Sequence, residues 1–239
     1  MLDGNLAVKG EKLGSMYSFR YGGLSSENGY PLFYGKDGKL WHTADPKRME
    51  LVKSGSIYPD LSGGFDTQLT FDRRLSLSLG FTYNLGGVKR LPKVYADKNS
   101  ALNPVANVST NWKKRWRKPG DENHTNIPAL SVEPLDMFGW NSDRTIEIAD
   151  NAWEMYNKSD LRVVSGNYLR LKNLYVRYAL SEKLCHKIHA KSINFRFEAT
   201  NLWLLADKKL NGQDPEQITL GGATTPPTSS YTLGLDITF

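Results

Sequence analysis

The last nine residues of the chain alternate between apolar and polar side chains and end on an aromatic. The apolar members are Tyr231, Leu233, Leu235, Ile237 and Phe239, and the residues between them are small or polar. This period-2 pattern is typical of a β-strand with one apolar and one polar face. Nine residues alone fit either a strand on the core of a soluble protein or the closing strand of a membrane barrel.

The same alternation predicts further strands, about six in all. The segment 75–85 has the cleanest pattern, and its length is what a tilted strand needs to cross a bilayer. The strand before it ends so close by that the two must form an antiparallel hairpin. The apolar phase changes inside 168–180, which predicts a bulge near Lys172 and Asn173. The predicted strands are 13–22, 65–72, 75–85, 168–180, 193–199 and 231–239.

The links between these strands are of two kinds. Short turns at one end and long loops at the other are typical of outer-membrane barrels. A small hairpin is expected at the tip of the first long loop, which carries turn signals. The second contains four tryptophans, which argues against disorder. The short links are 73–75 and 181–188, and the long loops are 24–58, 86–165 and 204–228.

Composition is compatible with such a barrel. A hydrophobic fraction of 39% and a mean hydropathy of −0.49 resemble those of a soluble protein. No apolar run reaches the roughly 18–20 residues of a membrane helix. In a barrel, however, only every second residue faces lipid, so average hydropathy conceals the signal. About six strands are fewer than the roughly eight of the smallest barrels, which predicts an incomplete, all-β antiparallel transmembrane wall.

Other features bound the compartment and partners only loosely. The single Cys185 excludes an internal disulfide. The net charge of +6 permits an anionic partner without requiring one. Residues 1–9 lack the basic and apolar regions of a signal peptide, so we expect either a cytoplasmic chain or a piece of something longer.

A series of short motifs runs through nearly the whole chain. They are Leu13–Tyr17, Gly29–Phe33, Tyr58–Phe65, Arg115–Asp121, Ile127–Pro128, Ser142–Arg144, Asn167–Leu174, Ala199–Leu202, Asp214–Glu216 and Leu233–Phe239. In this order, and with the strand pattern above, the chain resembles the C-terminal part of the SusC/RagA type of TonB-linked (TonB-dependent) outer-membrane transporter.

The resemblance implies a closed barrel of about 22 strands with an N-terminal plug, importing glycans or peptides. Residues 1–239 would be its C-terminal part in the bacterial outer membrane, with the long loops extracellular and the C-terminus periplasmic. Plug domain and TonB box are expected to be absent from this chain. The implied partners are the rest of the barrel and plug, a SusD-like surface lipoprotein, the TonB complex, outer-membrane lipid and lipopolysaccharide. The closing strand, Tyr231 to Phe239, would be the signal recognised by the barrel-assembly machinery.

The most basic run, 112–118, lies in the second long loop, and the candidate ligand contacts of this loop are aromatic or basic. Tryptophans could stack on sugars while basic groups meet lipopolysaccharide phosphates. The alternative is loop packing and solvated charge; nucleic-acid binding is not expected. The candidates are Trp112, Arg115, Trp116, Trp140 and Trp153.

A second set of aromatics lies near predicted strand ends. These residues could belong to the aromatic girdles at the two membrane interfaces. The alternative places them in the core of a β-sandwich. They are Tyr17, Tyr21, Tyr83, Tyr178 and Trp203.

No catalysis, metal or cofactor is expected. Asp214 and Glu216 flank a proline, which favours a turn over an acid–base pair. Two other functions stay open at this point. One is a soluble, secreted β-sandwich that binds carbohydrate, and the other is a truncated or split barrel without transport activity of its own.

Overall fold

The computed structural model describes residues 2–4, 8–41, 48–94, 109–130, 152–218 and 224–239. Its strands are β1 (Ser15–Phe19), β2 (Tyr21–Leu24), β3 (Pro31–Tyr34), β4 (Leu40–Trp41), β5 (Leu51–Ser56), β6 (Leu61–Phe71), β7 (Leu75–Leu85), β8 (Val88–Arg90), β9 (Val163–Ser165), β10 (Tyr168–Ala179), β11 (Ser192–Ala206) and β12 (Ser230–Thr238). The helices are α1 (Ala152–Asn157) and α2 (Glu182–Lys187), with short 3-10 segments between strands. Within the described ranges, no helix combines the length and the apolar character that crossing a membrane requires.

The chain divides into two compact units. The first takes its residues from 1–58, 88–164 and 218–223, and the second from 59–87, 165–217 and 224–239. The second unit contains one antiparallel sheet, in the order β12-β11-β10-β7-β6. Five of the predicted strands are therefore confirmed as neighbours in a single sheet.

The hairpin between β6 and β7 is as tight as predicted. Asp72 and Arg73 have φ values of 47° and 53°, and the Arg74 amide donates to the Phe71 carbonyl at 3.1 Å. Positive φ at both central residues defines a type I′ turn, whose twist matches that of paired strands. The Arg74 guanidinium also binds the Asp72 carboxylate across the turn.

The predicted bulge in β10 is present. Leu171 pairs with Phe81 and Asn173 with Gly80, so one residue of β10 has no counterpart in β7. The extra residue, Lys172, shifts the alternation by one position. As a result Leu171 and the apolar residues after the bulge lie on the same face of the sheet.

The two faces of this sheet differ in chemistry across all its strands. On the apolar face, Phe65 stacks on Phe81 with ring centroids 4.8 Å apart. On the polar face, Arg196 of β11 binds Asp236 of β12 at 2.8 Å. Most of the large apolar side chains are exposed or partly exposed, and Leu233 reaches 83%. Exposed members of the apolar face are Leu61, Phe65, Leu69, Phe71, Leu75, Leu85, Tyr178, Phe195, Trp203, Leu205, Tyr231, Leu233, Leu235 and Ile237.

The link between β10 and β11 is helical rather than a bare turn. Helix α2 occupies it, and the Ser181 carbonyl accepts from the amides of Leu184 and Cys185 at 2.9 and 3.0 Å. Cys185 is buried in a small apolar cluster with Ala190 and Ile193. The connection is compact, and it lies at the same end of the sheet as the β6–β7 turn.

The prediction of one strand over 13–22 is wrong. β1 pairs with β5, whereas β2 begins a separate sheet with β3 and β4. The chain changes partner at Arg20, whose amide donates to the Glu50 carbonyl, and the next amide, of Tyr21, donates to Asp160 Oδ1 at 3.0 Å. Tyr17 and Tyr21 therefore lie in the first unit, not at the ends of the five-stranded sheet.

The first unit has its own core, to which two of the predicted long loops contribute. Phe19 contacts Phe33 edge to face at 6.2 Å, and Tyr21 meets Tyr156 in the same way at 6.0 Å. The small hairpin expected in the loop 24–58 is formed by β3 and β4. The buried residues of this core are Phe19, Phe33, Met49, Val94, Met155 and Tyr156.

Candidate functional site

The segment 109–130 carries three of the predicted ligand contacts and is closed by hydrogen bonds. Ser109 caps its first 3-10 turn, with the side-chain oxygen accepting from the Asn111 amide at 3.3 Å. Farther on, Thr125 Oγ1 donates to the Lys114 carbonyl at 2.6 Å. These bonds tie the basic run to the later half of the segment and give it a defined shape.

Trp116 anchors the segment from inside. Its side chain is 8% exposed and packs with Leu24 and Ala129. Its amide donates to the Ile127 carbonyl at 2.9 Å, and its indole Nε1 donates to Glu122 at 3.0 Å. The expected direct ligand contact by Trp116 is therefore corrected, because a buried ring offers no face for stacking.

Trp112 is covered by its own neighbour. The Arg115 guanidinium lies 3.9 Å from the centroid of the Trp112 ring, in cation–π geometry. The same guanidinium donates to the Trp112 carbonyl at 3.3 Å. The indole packs against the core of the first unit, and its Nε1 is buried without a hydrogen-bond partner among the described residues. Arg115 is thus held in place, and its side chain stays partly exposed.

Trp153 is partly exposed and lies on helix α1. Its Nε1 donates to the Ala129 carbonyl at 3.1 Å, and its ring meets Tyr30 edge to face at 5.3 Å. Tyr30 was missed by sequence reasoning, although it lies inside the motif at 29–33. Trp140 lies outside the described residues.

The two acidic residues of the segment are held by N–H donors. Asp121 accepts from the amides of Arg117 and Lys118 at 3.0 and 3.2 Å. Glu122 accepts from Trp116 Nε1 and from the Gly120 amide at 2.8 Å. The hydrogen bond from Trp116 lowers the pKa of Glu122 below its ordinary value. Both carboxylates therefore stabilise the turn in which they lie.

The basic side chains of the segment are wholly or partly open to solvent. Lys113, Lys114, Arg117 and Lys118 are exposed, and Arg115 is partly exposed. Within the part of the chain that the structure describes, none of these five forms a salt bridge. We call this set the basic patch.

A buried arginine that sequence reasoning missed holds the first unit together. Arg90 donates to the carbonyls of Leu2, Tyr17 and Ser159 and to Ser18 Oγ, at 2.9 to 3.3 Å. Burial lowers its pKa. These acceptors come from distant parts of the chain, so the role of Arg90 is structural. No sequence signal distinguishes it from the neighbouring basic residues.

Comparison with known proteins relates this architecture to transporters. No protein-family model matches the chain. A TonB-dependent receptor, P3, from Formosa agariphila is 24% identical to it over 260 residues, covering 97% of the chain and 22% of the receptor. The structure of the RagAB peptide transporter matches 94% of the chain with a TM-score of 0.63 and 22% identity. The open-open RagAB peptide importer matches 98% of the chain with a TM-score of 0.59 and 19% identity.

The chain is similar to one part of a SusC/RagA-type TonB-dependent transporter. It spans less than a quarter of the length of these relatives, from 22% to 24%. The five-stranded sheet is accordingly a partial barrel wall. Its apolar face corresponds to the outside of such a barrel and its polar face to the lumen. The likeness points to the bacterial outer membrane.

Three of the predicted interface aromatics lie on the apolar face of this RagA-like wall. Tyr83 and Trp203 are near the end where the long loops emerge, and Tyr178 is near the short-turn end, paired with Leu75 and Phe195. Their place in two membrane-interface girdles stays a prediction.

The closing strand β12 lies at one edge of the wall and pairs only with β11 among the described strands. Tyr231, Leu233, Leu235 and Ile237 all point to the apolar face, and Phe239 follows the strand, exposed. An edge strand presents unpaired backbone groups to another strand. The role of this strand as an assembly signal stays a prediction.

Asp214 and Glu216 form a turn fastened to the wall. Asp214 is 1% exposed; its Oδ1 accepts from the Glu216 amide, and its Oδ2 binds Arg170 of β10 at 2.6 Å. Glu216 binds Arg170 at 2.9 Å and accepts from the Tyr168 hydroxyl. Both carboxylates thus form salt bridges with the same arginine. In the described part of the chain, no three side chains of the kinds that ligate metals come together.

Proposed function

We propose that this chain forms the C-terminal barrel wall and extracellular loops of a SusC-like TonB-dependent importer of glycans or peptides in the bacterial outer membrane. The observation that carries the proposal is the exposed apolar face of the five-stranded sheet. Soluble proteins rarely expose a continuous apolar patch of this extent. In a barrel wall, lipid covers that face, and the polar face with Arg196 and Asp236 lines the lumen.

The lengths of the loops support one orientation of the sheet in the membrane. The connections 72–74 and 180–191 are compact, whereas those at the other end of the sheet run through 86–167 and 207–229. Because short turns face the periplasm and long loops the outside in such barrels, we place the basic patch outside the cell and the C-terminus in the periplasm. The loops 24–58, 86–165 and 204–228 then contribute to the extracellular mouth.

The proposed partners follow from this placement. Both edge strands, β6 and β12, would pair with strands of the remaining barrel, which encloses the plug. The mouth would meet a SusD-like surface lipoprotein, and the plug would receive energy from the TonB complex. The barrel-assembly machinery would recognise the closing strand. The RagAB structures are described as peptide transporters, which supports peptides as one candidate cargo beside glycans.

The other candidate functions lack a supporting observation. A soluble carbohydrate-binding sandwich needs a second sheet over the apolar face, and most of the large apolar side chains described on that face are exposed or partly exposed. Catalysis is not proposed, since the acidic residues of the basic segment and of the 214–216 turn are engaged in structural hydrogen bonds.

The test is the size and location of the native polypeptide that carries this C-terminus. Cells are fractionated, and denaturing gels are probed with an antibody to residues 204–228. We expect an outer-membrane band several-fold larger than 26.9 kDa. A membrane band near 26.9 kDa would instead identify a split barrel, and a soluble band would overturn the membrane assignment. Uptake of labelled oligopeptides and oligosaccharides by cells with and without the protein then identifies the cargo.

A further inference from the structure

We infer that the basic patch is a binding site for sugars that carry phosphate or sulfate esters. The patch consists of Lys113, Lys114, Arg115, Arg117 and Lys118, which lie within six consecutive residues of the first unit. The inference deepens the proposed function and rests on it both for placing the patch outside the cell and for sugars as the carriers of the esters.

The patch is built on a fixed base. The buried Trp116 lies between its members and anchors them through the Ile127 carbonyl and the Glu122 carboxylate. The Thr125 hydroxyl holds the Lys114 carbonyl from the other side. A charged group displayed on a fixed backbone loses less conformational freedom on binding than one on a mobile loop.

Among the described residues, the charges of the patch have no acidic partner. Asp121 and Glu122 are the nearest acidic residues in sequence. Both carboxylates accept hydrogen bonds from backbone or indole N–H groups of the segment. Within the described ranges, no carboxylate forms a salt bridge with any cation of the patch. An excess of positive charge with no acidic partner among the described residues attracts anions from solution.

Arg115 is the residue of the patch whose guanidinium is best positioned to bind an oxyanion. Trp112 supports one face of its guanidinium, and the bond to the Trp112 carbonyl fixes its direction. A planar guanidinium matches the geometry of phosphate and sulfate groups and can bind them with two parallel hydrogen bonds. The flanking lysines supply point charges around this fork.

The same contacts favour a sugar ester over nucleic acid. Binding of single-stranded nucleic acid depends on aromatic faces that are open for base stacking. Trp116 is buried, and Arg115 covers a face of Trp112. The tryptophans of the basic run therefore support the cations rather than stack on a ligand, and recognition proceeds through charge.

The test uses the native full-length polypeptide in detergent, with three probes. Dextran sulfate presents sulfate esters in solution, lipopolysaccharide presents phosphates of the membrane, and uncharged dextran is the negative control. The variant K113Q/K114Q/K118Q removes three cations of the patch. The variant K9Q/K36Q/K39Q removes three exposed lysines elsewhere in the same unit and leaves the patch intact.

We expect the patch variant to bind at least one charged probe about tenfold more weakly than wild type, with a loss that shrinks at high salt. The control variant should change affinity less than about twofold, and dextran should not bind. R115Q should weaken binding although four cations remain. If the patch variant binds only lipopolysaccharide more weakly, the ligand of the site is a membrane glycolipid. If it binds only dextran sulfate more weakly, the ligand is a soluble polysaccharide.

Equal behaviour of the patch and control variants, or no binding of either charged probe by wild type, would overturn the inference. Those results leave membrane location and import untouched, because both are measured separately. Conversely, a soluble native polypeptide that still binds dextran sulfate through the patch would overturn the proposed function alone.

Discussion

Gly29 lies directly against the indole ring of Trp116. A Cβ added at Gly29 would lie 2.3 Å from Trp116 Cδ2, and the backbone at Gly29 has a φ of +68°. The Gly29 carbonyl also accepts from the Ala129 amide at 2.9 Å. One glycine therefore joins the first long loop to the segment that presents the basic patch.

Gly29→Ala should loosen the segment 109–130. The substitution adds left-handed backbone strain of about 1–2 kcal/mol and a clash of about 1–3 kcal/mol with Trp116. Hydrogen exchange of the amides in this segment measures the effect. Gly38→Ala is the matched control, since Gly38 has a φ of +73° but nothing within 4 Å of an added Cβ. Similar exchange in the two variants would show that the Trp116 contact is unimportant.

Removing Asp214 should destabilise the fold around β10 strongly. Asp214→Ala leaves the Arg170 charge buried with only Glu216 beside it, and such a loss costs about 3–5 kcal/mol. Thermal unfolding of the purified protein reports it. Replacing both partners, as Arg170→Met with Asp214→Leu, should be less harmful than the single change. A double variant as unstable as Asp214→Ala would contradict this account of the cluster.

The two faces of the sheet should respond differently to charge. Leu79 of β7 points to the apolar face, and its neighbour Ser78 points to the polar face. Leu79→Arg should cost about 2–4 kcal/mol in a lipid-facing wall, whereas Ser78→Arg should be tolerated. The readout is the fraction of folded protein in the outer-membrane fraction, judged by its mobility on gels with and without heating. Equal tolerance of both variants would argue against a lipid-facing sheet.

The hydrogen bond from Trp116 to Glu122 should make the stability of the segment 109–130 depend on pH in the acidic range. The folded state lowers the pKa of Glu122, so this carboxylate stabilises the segment above its unfolded pKa of about 4.3. That stabilisation is lost as the pH falls through the lower, folded-state pKa. Wild-type tryptophan fluorescence should therefore change below about pH 4, and Glu122→Gln should lack that part of the change. Identical profiles for both proteins would exclude this link.

Much of the wall could be predicted from local pattern. Strict alternation in β7 and β12 determines which side chains share a face, because successive residues of a strand point to opposite sides. The phase change at Lys172 marks the bulge for the same reason. The antiparallel hairpin at Asp72 and Arg73 follows from the shortness of its link. These features depend only on neighbours along the chain.

Only the tertiary structure decided that β1 and β2 belong to different sheets and which tryptophans are buried. The alternation over 13–22 runs through Arg20 without a break, yet the chain changes partner there, since Glu50 and Asp160 lie beside it. Trp112 and Trp116 stand in nearly the same basic surroundings in the sequence. The gap above Gly29 accommodates Trp116, while Arg115 covers Trp112. Such contacts join residues that are far apart in the chain, so the periodicity of a local segment cannot predict them.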